Sequence, residues 1–311
     1  MKILVIAASL VILLNAAEIA RRPVWRWWKD VAPEVSTGRF QDPEGLAVDA
    51  QGNIYIADED RGILTQLDRE GRTLSQIRYL EGYEIDGQPA AVTSGDGMVA
   101  LGPGHILAIA QFNLAEIEFE AGKAKLIRVI GLGKGTGAEH FGDPEGIARH
   151  PDSGEIYVTD EDNRRIVVYD SDGTLLRSWP VQQDPESIGL LDDRAYVTFS
   201  KDDWIGCYSL EGELRFRFGE RGAGATNNPD FISVSPDGLL YVTDQRNGRI
   251  QVYDAEGNHR FSIGSRGRGL GEFRDPEDLA FDPDGNLIVA DGENHRIQVL
   301  TKDGVPIREI R

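Results

Sequence analysis

The chain has 311 residues, 40% of them hydrophobic, with 52 Asp and Glu against 33 Lys and Arg and a net charge of -19. That balance excludes a general affinity for nucleic-acid phosphates, which depends on releasing cations from a polyanion, and it makes cations the expected ligands. A single cysteine, Cys207, excludes an internal disulfide, and its setting in Ile205-Gly206-Cys207-Tyr208 is that of a buried strand position.

Residues 1–20 open with Lys2 and run almost wholly apolar from Ile3 to Leu14, the shape of a secretory signal or a membrane anchor. Asn15-Ala16-Ala17 is a poor cleavage site. In the linker of residues 21–39, Arg21, Arg22, Trp25, Arg26, Trp27, Trp28 and Lys29 have the composition of an interfacial belt. The expectation is export to the cell envelope, periplasmic or extracellular, with a membrane tether if the segment is retained.

From Phe40 onward one pattern returns. Its fullest copy runs from Phe141 to Gly173, with further copies from Phe40 to Gly71 and Phe273 to Gly304, and fainter ones from Asp184 to Gly212 and Asn228 to Gly257. A sixth, eroded copy fits around Pro89. A period of about 40–50 residues means supersecondary units whose apolar faces are buried only by their neighbours. Within each unit, alternating runs such as Ile54-Tyr55-Ile56 are bounded by turns that place glycine where a short hairpin needs a positive φ: Asp49 to Gly52, then Asp68 to Gly71. Four strands per unit, repeated radially, make a propeller. Counting on Pro43, Pro89, Pro144, Pro185, Pro229 and Pro276 predicts an all-β, six-bladed β-propeller of four-stranded antiparallel blades over residues 40–311. The sixth unit has enough chain to supply all four of its strands, so closure needs no N-terminal strand.

The residue after the proline is Glu44, Glu145, Glu186, Asp230 and Glu277 in five units. It precedes the innermost strand, so these side chains should converge on the mouth of the central channel, where like charges take up protons or hold a cation. Oxygen ligands on flexible loops suit Ca²⁺ better than Zn²⁺. The alternative is a solvated acidic rim. A second acidic set follows the second strand of each unit: Asp58-Glu59-Asp60, Asp160-Glu161-Asp162, Asp202-Asp203, Asp244, and Asp291 with Glu293. The leading aspartates read as structural, bonding backbone N–H groups across the loop. Arg165, Arg249 and Arg296 recur within strands and should pair with loop carboxylates.

The glycine-rich stretches Gly131 to Gly137, Gly219 to Gly224 and Gly264 to Gly271 precede neither a helix nor Lys-Ser/Thr, which excludes a phosphate loop and suits crossings between blades. They bring Lys134, Arg221, Arg266 and Arg268 toward the acidic face, where a small anionic ligand or a protein partner could engage arginine and metal together. Trp204 is the clearest expected aromatic anchor, with Tyr83 and Phe112 behind it. His105, His140, His150, His259 and His295 show no ligand spacing, and no nucleophile arrangement is recognisable, so no catalytic residue is assigned.

The units resemble NHL repeats, whose known copies form six-bladed propellers; the sixth shows it best, in Asp284-Gly285-Asn286-Leu287-Ile288-Val289-Ala290-Asp291, Asn294 and Arg296-Ile297-Gln298-Val299. Blades one and three also resemble calcium-dependent β-propeller phytases, and that resemblance implies calcium at Glu44 with Glu59 and at Glu145 with Glu161. The phytases' full set of phosphate-binding lysines and arginines has no match here. Peptide-amidating lyases, also NHL-like, put zinc-binding histidines where this chain has acids. Two functions remain open: a binding platform with Ca²⁺ at the mouth, or a metal-dependent hydrolase of the phytase or lactonase type.

Overall fold

The computed structural model describes residues 40–85, 88–91, 97–222 and 224–311. The expected leader and basic linker, residues 1–20 and 21–39, lie outside them. No helix among the described residues is long and apolar enough to cross a membrane.

The strands form six four-stranded antiparallel sheets, each ordered by sequence from the innermost strand outward. The innermost strands are Pro43–Val48, Met98–Gly102, Pro144–Arg149, Ile188–Leu191, Pro229–Val234 and Pro276–Phe281. Local sequence explains the turns: in the first hairpin of blade three Gly154 has φ 73°, and in that of blade six Gly285 has φ 80°, a region closed to most side chains. Asp49 anchors the blade-one hairpin, its carboxylate accepting from Gln51 N at 2.9 Å and Asn53 N at 3.0 Å.

Apolar residues of each blade meet those of the neighbouring blade. Tyr55 and Leu64 pack with Ile106 and Ile117 between blades one and two, and Leu46 and Ile56 with Ile288 and Ile297 between blades one and six. Six such clusters separate six blades, so each blade contributes two half-cores and none is a core alone. The ring closes without strand exchange, because blade six supplies its own fourth strand, Pro306–Ile310.

Pro89 does not start the second blade. It lies in Gln88–Ala91, which pairs with Tyr79–Ile85 as a separate two-stranded ribbon, and the blade itself begins at Met98. The strand runs expected after it, from Met98, His105 and Ala115, are present. Cys207 is fully buried in a strand of blade four, as expected.

Candidate functional site

The mouth is built by one backbone device. In blades one, three, five and six the inner strand opens with proline opposite the last residue of the second strand, and the register then slips: Pro43/Leu46, Pro144/Ile147, Pro229/Ile232 and Pro276/Leu279. The acidic residue sits within this bulge, and bulges re-aim side chains. A threonine on the second strand then fixes the next blade. Thr159 Oγ1 donates to the Glu186 carbonyl at 2.7 Å, Thr198 to Asp230 at 2.6 Å and Thr243 to Glu277 at 3.2 Å.

Inner strands approach closely here. A Cβ on Gly97 would lie 2.7 Å from the Glu145 carbonyl oxygen, and one on Gly146 2.7 Å from Ser187 Cα. Glu44, Glu145, Glu186, Asp230 and Glu277 line one cavity of about 180 Å³ with Gly45, Gly97, Ser187, Phe231 and Asp278. The convergence of the five acids was readable from the repeat. Among the described residues, no lysine, arginine or histidine is in the lining.

Burial, followed by the Glu186 and Glu44 carboxylates, pushes Asp230 well above the usual carboxylate range. Burial and then Asp230 do the same to Glu277. Glu186 is raised by burial against a hydrogen bond from Ser200. Asp278 is only 3% exposed and was not foreseen. Its Oδ2 accepts from Leu46 N at 2.6 Å, while its buried Oδ1 has no hydrogen-bond partner. Other blades put Gly45, Gly146, Ser187 and Phe231 at its repeat position, so no recurrence signals it.

Two tighter groups flank the cavity. Asp42, Glu44 and Glu59 each offer an oxygen within 4.8 Å of the others, and so do Asp143, Glu145 and Glu161. Two oxygens each about 2.4 Å from one Ca²⁺ are at most about 4.8 Å apart, so either triplet fits one ion. Burial and then the carboxylates of Asp60, Glu59 and Asp58 raise Asp42 to about 6. Asp143 is raised by burial, then by Asp162 and Glu161, against the Lys134 ammonium. Asp42 and Asp143 were missed, although Asp-Pro recurs at Asp42, Asp143, Asp184 and Asp275.

The leading aspartates are structural, as read. Asp160, Asp244 and Asp291 are buried and pair with Arg165 at 2.8 Å, Arg249 at 2.7 Å and Arg296 at 2.7 Å. Asp160 also accepts from Gly142 N at 2.7 Å.

Trp204 is not an exposed anchor. It is 2% exposed, stacked on Phe199 at 4.1 Å between ring centroids, with Nε1 donating to Gln183 at 2.7 Å. Tyr83 is likewise buried, its hydroxyl donating to the Ala110 carbonyl at 2.8 Å. Phe112 is half-buried beneath the Lys134 ammonium, 4.4 Å from its ring centroid. The glycine-rich stretches are crossings between blades. Arg221, Arg266 and Arg268 are exposed on them and none lines the acidic cavity, although Arg266 acts electrostatically on Asp275.

The NHL repeat family matches residues 40–62, 226–253 and 273–300, in blades one, five and six, and the chain thus carries NHL repeats. A family described as the esterase-like activity of phytase matches residues 104–185. No curated protein matches the sequence. Among solved structures, a catalytically inactive histidine-to-alanine variant of virginiamycin B lyase from Staphylococcus aureus, with quinupristin, is similar at TM-score 0.60 and 17% identity, covering 88% of this chain and 86% of that one. A streptogramin B lyase gives 0.61 and 16%, covering 89% and 85%. A Bacteroides thetaiotaomicron protein of unknown function gives 0.65 and 12%, covering 85% and 70%. At these identities the likeness is one of fold.

Proposed function

We propose that this chain is a binding platform that presents a divalent cation, Ca²⁺, at the acidic mouth of its channel. The observation that carries the reading is the convergence of carboxylates from five blades on one cavity whose lining, among the described residues, has no basic side chain. Like charges this close are held together by protons or by a cation, and the buried Asp278 Oδ1, lacking a hydrogen-bond partner, is the kind of atom a cation satisfies. Asp42, Glu44 and Glu59 would hold one ion, and Asp143, Glu145 and Glu161 another. A bound Ca²⁺ supplies a positive centre with remaining coordination positions for an anionic group of a partner or ligand. Exposed Arg221, Arg266 and Arg268 on the crossings add charge suited to the same groups.

Export is part of the same proposal, since millimolar calcium outside the cell would saturate sites of modest affinity. The apolar run from Ile3 to Leu14 and the Trp- and Arg-rich stretch after it favour an envelope location with an N-terminal tether.

A metal-dependent hydrolase is the second reading, favoured by the phytase-type match over residues 104–185, which spans Asp143, Glu145 and Glu161. One of the similar lyases is inactive when a histidine is replaced by alanine, whereas among the described residues the lining of the mouth holds no histidine. Calorimetric titration of the full chain with calcium tests the first reading: a saturable site that Glu44→Gln weakens supports it, and the lack of binding at millimolar calcium removes both readings. Turnover of phosphate esters or lactones that requires calcium would favour the hydrolase.

A further inference from the structure

The third-blade triplet already has a cation of the protein's own beside it. Lys201 belongs to the short turn Ser200–Asp202 of blade four, and its Nζ pairs with Glu161 and, at 3.1 Å, with Asp184. We propose that Lys201 is an internal counter-ion of the Asp143, Glu145 and Glu161 site, displaced when a divalent cation binds there. This rests on the cation reading above and adds the residue that sets the affinity of one site.

Several features separate this from an ordinary surface ion pair. Asp184 does not need Lys201 for neutralisation, because Arg164 Nε lies 2.7 Å from its other oxygen. The Lys201 side chain is 61% exposed and Glu161 only 14%, so the ammonium can swing into solvent while the carboxylate stays. Ser200, one residue earlier, donates to the Glu186 carboxylate. One turn of blade four thus addresses two members of the mouth, and it keeps that anchor when Lys201 leaves.

Other charges act on this triplet too. Lys134 draws Asp143 down while Asp162 and Asp160 push it up, and the Glu161 carboxylate raises Glu186. Lys134 stands over Phe112, whereas Lys201 touches a triplet carboxylate. Blade two, which neighbours blade one as blade four neighbours blade three, has only Gln111 and Phe112 between its second and third strands, so the device has no counterpart there.

The two roles of Lys201 predict opposite signs. As a structural residue, its removal could only weaken the site. As a competing cation, its removal tightens calcium binding and destabilises the calcium-free protein. Calorimetric titration uses the full chain carrying Asp42→Asn, so that the third-blade site is read without its first-blade counterpart. Adding Lys201→Met should tighten calcium binding about two- to fivefold, the range an exposed ion pair supplies, and lower the calcium-free melting temperature. Lys201→Arg should restore the parent affinity, and Glu161→Gln should abolish the heat. Unchanged or weaker binding with Lys201→Met overturns the proposal and leaves the platform reading standing. The lack of calcium binding in the wild-type chain and every variant overturns both.

Discussion

The backbone N–H of Leu46 in blade one donates to Asp278 Oδ2 in blade six at 2.6 Å, across 232 residues of sequence. This bond joins the first and last inner strands at the level of the acidic mouth, so ring closure and the candidate cation site share a carboxyl. Burial pushes that carboxyl well above its usual range, with the Leu46 and Leu279 N–H groups pulling it back and Glu277 adding to the rise.

Stability should therefore depend on pH in an unusual direction when calcium is absent. Asp42, Glu186, Asp230, Glu277 and Asp278 all have folded pKa values raised above the unfolded ones. Their contribution is full below the unfolded carboxylate range and is lost as pH rises through the folded values, about 6 for Asp42. Below that range Glu155, held low by Arg177, loses its own contribution. Thermal melts in chelator should be highest near about pH 5 and fall by about pH 8, with calcium restoring more at the higher pH. Melting temperatures that rise steadily from pH 5 to pH 8 in chelator would contradict this.

Arg296 should be the most costly arginine to remove. It is 1% exposed, bonded to Asp291 and Glu309 and to the carbonyls of Gly269 and Glu272. Arg296→Met leaves buried Asp291 without its counter-ion, a loss of about 3–5 kcal/mol in urea unfolding. Lys302→Ala, which breaks an exposed pair with Asp237, should leave the urea midpoint unchanged.

Trp204→Ala should act through the core. Removing a stacked, buried indole costs about 3–5 kcal/mol, and the wild-type emission of this ring should be blue-shifted and poorly quenched by iodide. A stable Trp204→Ala protein that has lost only partner binding would instead restore the exposed anchor.

The repeat made the blades and the five converging acids legible, because proline and the residue after it recur at fixed positions that the radial symmetry superimposes. Asp278 was hidden by the same logic, since its importance comes from blade one, far away in sequence. Blade two misled because the ribbon around Pro89 imitates the start of a unit before Met98. Trp204 misled because the turn Ser200–Asp202 delivers it to the first position of a strand, where Phe199 covers it. The Asp-Pro recurrence that completes both triplets was visible, but what joins Asp42 to Glu59 is a bond from the Glu59 N–H to the Asp42 carbonyl at 3.0 Å, and Glu44 sits in the bulge that follows.

The most direct test of the central claim is long-wavelength anomalous diffraction from crystals of this protein grown in calcium. A bound calcium would give a peak at the mouth, about 2.3–2.6 Å from carboxylate oxygens of a triplet containing Glu44 or Glu145. A map with no peak in the cavity lined by Glu44, Glu145, Glu186, Asp230 and Glu277 would contradict it, leaving a protonated, solvated rim.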